Sequence, residues 1–104
     1  MVIALFSREI NDSTKNVINS FFLSNHAKHS KFFIEKNILD VLETSENLNL
    51  TPFETSKDLD SSIDIMVSIG GDGTFLRCLE FIRELDIPVM GINTVSYTHL
   101  RAHE

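Results

Sequence analysis

"IMVSIGGDGTFL", residues 65–76, runs an apolar stretch into three glycines and an aspartate, then resumes apolar residues at a new spacing. "DIMVSI" (Asp64 to Ile69) is broken only by Ser68, and near-continuous apolar runs suit parallel strands covered on both faces. Beyond the glycines, Phe75, Leu76, Leu79, Ile82 and Leu85 recur at steps of one, three, three and three. That spacing predicts an amphipathic helix of about three turns beginning near Thr74. Arg77, Glu80, Arg83 and Glu84 fall on its other face. A buried strand therefore turns into a helix through Gly70, Gly71, Asp72 and Gly73.

Working outward, "VIALF" (Val2 to Phe6) reads as a buried strand. Asp12 or Ser13 can cap a following helix, in which Val17, Ile18, Phe21 and Phe22 share a face. The polar segment 24–30 ends that helix, and "KFFIE" (Lys31 to Glu35) reads as a second strand. "NILDVLE" places Ile38, Leu39 and Leu42 on one helical face, with Asn37 as its cap. Residues 44–62 turn polar and read mostly as loop, with a short strand near Pro52 to Glu54. "IPVMGI" (Ile87 to Ile92) reads as another buried strand with Pro88 at its edge or start. Strands alternating with helices predict an α/β domain built on a parallel sheet.

A chain of 104 residues fits one domain. Nine basic against fifteen acidic residues give a formal charge of −6, which disfavours non-specific binding to nucleic acid or an anionic membrane. An anion site built locally from backbone N–H groups stays open. Cys78 is the only cysteine, so no intrachain disulfide forms; its place near the apolar face of a helix suggests a buried, inert thiol. "MVIALF" is too short for a signal-peptide core, and no apolar stretch reaches bilayer length. The cytoplasm is the expected compartment.

Glycine permits positive φ and lets a ligand approach the backbone closely. The helix that follows points its unpaired N–H groups and positive end at the turn. In an open parallel sheet, ligands bind beyond the carboxyl ends of the strands, where this turn lies. It is no Walker motif, since no Gly-Lys-Ser/Thr follows, and Leu76 stands where a dinucleotide fingerprint has its third glycine. Asp72 needs its own explanation, because a carboxylate repels phosphate. It can hold a divalent cation bridged to phosphate oxygens, or accept the proton of an attacking hydroxyl. The plainer alternative is a tight turn with a solvated aspartate, a common use of Gly-Asp-Gly.

"GGDGT" with its trailing apolar pair, followed by "IPVMGINT", resembles the ATP-dependent NAD kinase family, as does the opening "VIALFSR". The Gly-Gly-Asp-Gly core is also that of diacylglycerol and sphingosine kinases and of 6-phosphofructokinases; the "GINT" stretch narrows it to NAD kinases. The resemblance covers Met1 to about Thr94 and implies a Rossmann-like parallel sheet, the N-terminal part of a two-domain kinase. It implies that Asp72 is the acid–base group acting on the adenosine 2′-hydroxyl of NAD. Gly70, Gly71 and Gly73 would line the nucleotide site, Thr74 would support the loop, and Asn93 would help shape the pocket. ATP as phosphoryl donor, NAD as substrate, a divalent cation such as Mg2+ and a homo-oligomeric parent are further implications. The same core leaves a lipid kinase of the diacylglycerol type, or a nucleotide-binding unit without catalysis, as alternatives.

Family members continue after "GINT" with glycine, a variable residue and "LGF", whereas here Val95 follows and the chain ends "VSYTHLRAHE". The later Asn-Glu/Asp motif and the C-terminal β-domain are absent. Residues 95–104 resemble translated adapter read-through, so the expected organisation is a partial kinase domain over 1–94 and a non-native or disordered tail over 95–104. On this view the 104 residues correspond to about the first third of an enzyme and are inactive alone. His99 and His103 are spaced i, i+4, but with Glu104 the only neighbouring carboxylate, no metal ligands are assigned. His26 and His29 lie in a polar stretch and are expected to be solvated.

Overall fold

The computed structural model describes residues 1–23, 27–42 and 48–94. Among these residues five strands form one parallel sheet: β1 (Val2–Phe6), β2 (Lys31–Glu35), β3 (Asn49–Phe53), β4 (Ile65–Gly70) and β5 (Val89–Asn93). Their order is β3-β2-β1-β4-β5. Among the described residues, three α-helices follow β1, β2 and β4: α1 (Asp12–Phe22), α2 (Lys36–Val41) and α3 (Asp72–Phe81). The chain thus runs outward from β1 in one direction and from β4 in the other. That reversal creates a crevice at the carboxyl ends of β1 and β4, the topological switch point of doubly wound sheets. The α/β class expected from alternation is the one observed.

The central strands are apolar throughout because both of their faces are covered. Ala4, Phe6, Phe33, Phe53 and Met66 pack with Cys78 and Ile82 on the α3 side. Leu5, Phe32, Ile34, Val67 and Ile69 pack with Ile18 and Ile38 on the α1 and α2 side. Alternate residues of one strand serve opposite layers, as the pleat requires. Leu5 pairs with Ile34 on one side and with Val67 on the other, which fixes the middle of the sheet. Phe81 meets Phe6 and Phe53 edge-on, with ring centroids 5.1 and 5.5 Å apart.

Several local expectations are corrected. The cap of α1 is Asn11, not Asp12 or Ser13: its side-chain oxygen accepts the Thr14 N–H at 3.0 Å. The cap of α2 is Glu35, not Asn37, and its carboxylate accepts the Asn37 N–H at 3.1 Å. Residues 49–53, read as loop before Pro52, form a full strand paired with β2. Proline is tolerated there because β3 is an edge. β5 is also an edge strand and only half-covered, so it is not the fully buried strand expected; Met90 is 41% exposed.

The helix α3 begins at Asp72, two residues earlier than expected, so Gly73 lies inside its first turn. Thr74 and Cys78 are its buried residues, and Ile82, just past its end, packs in the same core as Cys78. Leu76 is 62% and Leu79 42% exposed, so the apolar face read from spacing was rotated from the one that packs. Cys78 is buried as expected. Burial pushes its thiol up to about 11, with the Ser68 hydroxyl opposing that rise. His29 is exposed in a short turn. The readings for His26, His99, His103 and the 95–104 tail fall outside the described residues.

Candidate active site

Gly70 ends β4 with φ +149°, a conformation that side-chain-bearing residues rarely adopt. A Cβ built there would lie 2.6 Å from Thr74 Oγ1 and 3.1 Å from Thr74 Cβ. Thr74 is buried against this corner. Gly71 is the N-cap of α3 and no side chain caps the helix. The first helical bond is Phe75 N–H to the Gly71 carbonyl at 3.1 Å. The N–H groups of the turn before it therefore point out of the helix end, where an acceptor from a ligand is favoured.

Asp72, the first residue of α3, lines a cleft of about 220 Å³ together with Ser68, Gly70, Gly71, Phe75 and Asn93. Asp72 is exposed and borders this open cleft; it is not enclosed by packed side chains. Asn93 is the strand partner of Gly70 across β4 and β5, so the sheet register itself brings it to the same turn. Phe75 rests against Gly91, where a Cβ would stand 3.1 Å from its ring. All six residues named from sequence, Gly70, Gly71, Asp72, Gly73, Thr74 and Asn93, thus collect at the carboxyl end of β4.

A second cleft, about 310 Å³, opens on the other side of the glycine turn at the β1/β4 crevice. Gly70, Gly71, Gly73 and Thr74 form one wall, and Ser7, Arg8, Glu9, Asn11 and Thr14 form the other. These β1–α1 residues were given no role by sequence reading. Ser7 and Thr14 are buried, and the hydroxyl of each lies 2.8 Å from the Glu9 carbonyl, which accepts from both. The loop is thereby folded back onto the start of α1, and Arg8 is left extended toward Gly73. A Cβ on Gly73 would lie 3.0 Å from Arg8 Nη1. Combining the strand order with the switch-point rule would have found this loop; its own composition carries no motif.

The sequence matches the ATP-NAD kinase N-terminal domain over residues 8–102. It is 33% identical over 95 residues to an NAD kinase of Flavobacterium johnsoniae, covering 89% of this chain and 32% of that protein. An NAD kinase of Flavobacterium psychrophilum is 35% identical over 95 residues with the same coverage. In structure the chain resembles yeast NADH kinase, crystallised with NADH, with a TM-score of 0.66 at 17% identity. That match covers 88% of this chain and 29% of the yeast one. The chain spans about a third of the length of the curated relatives it matches.

Proposed function

This chain belongs to the NAD kinase family, and from that membership we infer that the full protein transfers the terminal phosphoryl group of ATP to the adenosine 2′-hydroxyl of NAD, giving NADP. The observation that carries the reading is the position of Asp72: an exposed carboxylate at a strand-to-helix corner, lining a cleft with Asn93 beside the uncapped end of α3. In the proposed reaction, Asp72 takes the hydroxyl proton as the 2′-oxygen bonds to the terminal phosphorus. The bond from that phosphorus to its bridging oxygen breaks, and ADP leaves. Gly70, Gly71 and Gly73 let the nucleotide approach the backbone, Thr74 supports the turn, and Asn93 helps shape the acceptor's cleft.

Positioning and charge neutralisation supply most of the rate in phosphoryl transfer. Among the described residues, no three His, Cys, Asp or Glu side chains come together as a metal cage. A magnesium ion brought in by a polyphosphate keeps several waters and is held largely by the phosphate oxygens, so the reading requires no dedicated protein cage. When bound, such an ion neutralises charge on the transferred group. No described helix is long and apolar enough to cross a membrane.

The reading is tested with a chain of family length carrying residues 1–94, supplied with NAD, diacylglycerol, ATP and Mg2+. Phosphorus NMR is expected to show a new monoester at the adenosine 2′ position, and an NADP-specific dehydrogenase to accept the product. Recovery of unmodified NAD, with phosphate transferred instead to diacylglycerol, would replace this reading with the lipid kinase one.

A further inference from the structure

The Gly70–Gly71 turn stands between two clefts and lines both. One holds Asp72 and Asn93 between β4 and β5; the other holds Arg8 between β1 and β4. We propose that Arg8 is the phosphate-holding cation of this site, so that the donor polyphosphate lies in the β1/β4 cleft while the acceptor hydroxyl lies beside Asp72. This assignment rests on the phosphoryl-transfer reading above.

Three observations carry it. First, a chain of formal charge −6 repels a polyphosphate at long range, so a local cation beside the backbone N–H groups favours holding one. Second, the ion pairs among the described residues are Lys36–Glu54 and Arg77–Glu80; no described carboxylate forms one with Arg8, although Glu9 lines the same cleft. Third, the guanidinium reaches the first turn of α3 where Gly73 carries no side chain, 3.0 Å from the point a Cβ would occupy. A phosphate oxygen can there accept from the guanidinium and from the backbone of the helix end together. The planar fork of arginine matches phosphate in a way that a lysine ammonium does not.

The arrangement also explains how one turn serves reactants of opposite demands. The Asp72 carboxylate beside the phosphates would add to the negative charge that Glu9 already brings to their cleft, and a guanidinium beside the hydroxyl would compete for the base. The turn keeps them on separate sides while bringing both within its own span.

The test is calorimetric titration of the 104-residue chain with inorganic tripolyphosphate, which lacks adenine and ribose. Arg8→Ala is expected to weaken binding at least tenfold and Arg8→Lys by less. Asp72→Asn is expected to leave it unchanged or to strengthen it, because a nearby negative charge is removed. Backbone amide shifts on titration are expected at Gly71, Gly73 and Thr74. No binding by the wild-type chain, or equal binding by Arg8→Ala, overturns the assignment. A chain of family length separates this from the parent reading. If NADP forms and Arg8→Ala leaves the KM for ATP unchanged, the Arg8 role fails alone. If tripolyphosphate binds through Arg8 and no NADP forms, the kinase reading fails alone.

Discussion

Gly70 and Gly73 are both glycines of one motif, yet the structure asks different things of them. At Gly70 the backbone has φ +149° and a Cβ would strike Thr74 at 2.6 Å. Strain of that kind costs of order 1–3 kcal/mol. Gly70→Ala should therefore lower the melting temperature by roughly 4 °C or more; an unchanged melt by circular dichroism would refute the strain argument. At Gly73 the backbone is helical and the only close neighbour is the flexible end of Arg8. Alanine is the better helix former by about 1 kcal/mol, so Gly73→Ala should keep or raise stability. The same substitution should weaken tripolyphosphate binding, because it displaces the guanidinium. A variant that melts lower but binds tripolyphosphate normally would contradict this division of labour.

Among the elements, the central strands were legible because burial on both faces leaves an unbroken apolar run, as in Val2–Phe6 and Ile65–Gly70. β3 was not, since an edge strand carries Asn49, Thr51 and Pro52 without penalty and shows the sequence only Leu50 and Phe53. Caps were displaced by a residue or two because Asn11, Asp12 and Ser13 are equally good acceptors on paper, and only the entry angle of the chain selects Asn11. Asn11→Ala should cost about 1 kcal/mol in chemical denaturation. Within the candidate site, the glycine turn announced itself, whereas the β1–α1 loop depends on strand order, a long-range property. The short turn after β3 offers a pH test. Backbone N–H groups of Glu54 and Thr55 hold the Asp58 carboxyl below its ordinary value. A depressed folded-state value means the contribution is present above the ordinary carboxylate range and is lost as pH falls through the lower one. The urea midpoints of wild type and Asp58→Ala should differ at pH 7 and converge below about pH 4; a gap that widens in acid would contradict the assignment.

At the scale of the whole molecule, a parallel sheet with helices on both faces brings the ends of β1, β4 and β5 to one crevice. The two clefts are open, and Leu76, Leu79 and Met90 remain exposed on the described residues. Relatives are about three times as long, so the 104-residue chain by itself should form no detectable NADP from NAD and ATP in a dehydrogenase-coupled assay; measurable turnover would show that this unit is sufficient. The central claim is chemical and concerns one carboxylate. Its most direct test is kcat for NADP formation by a chain of family length carrying Asp72→Asn, with tripolyphosphate binding measured on the same protein. The account predicts a fall of about 10²–10⁴-fold in kcat with binding retained, and a kcat equal to wild type would contradict it.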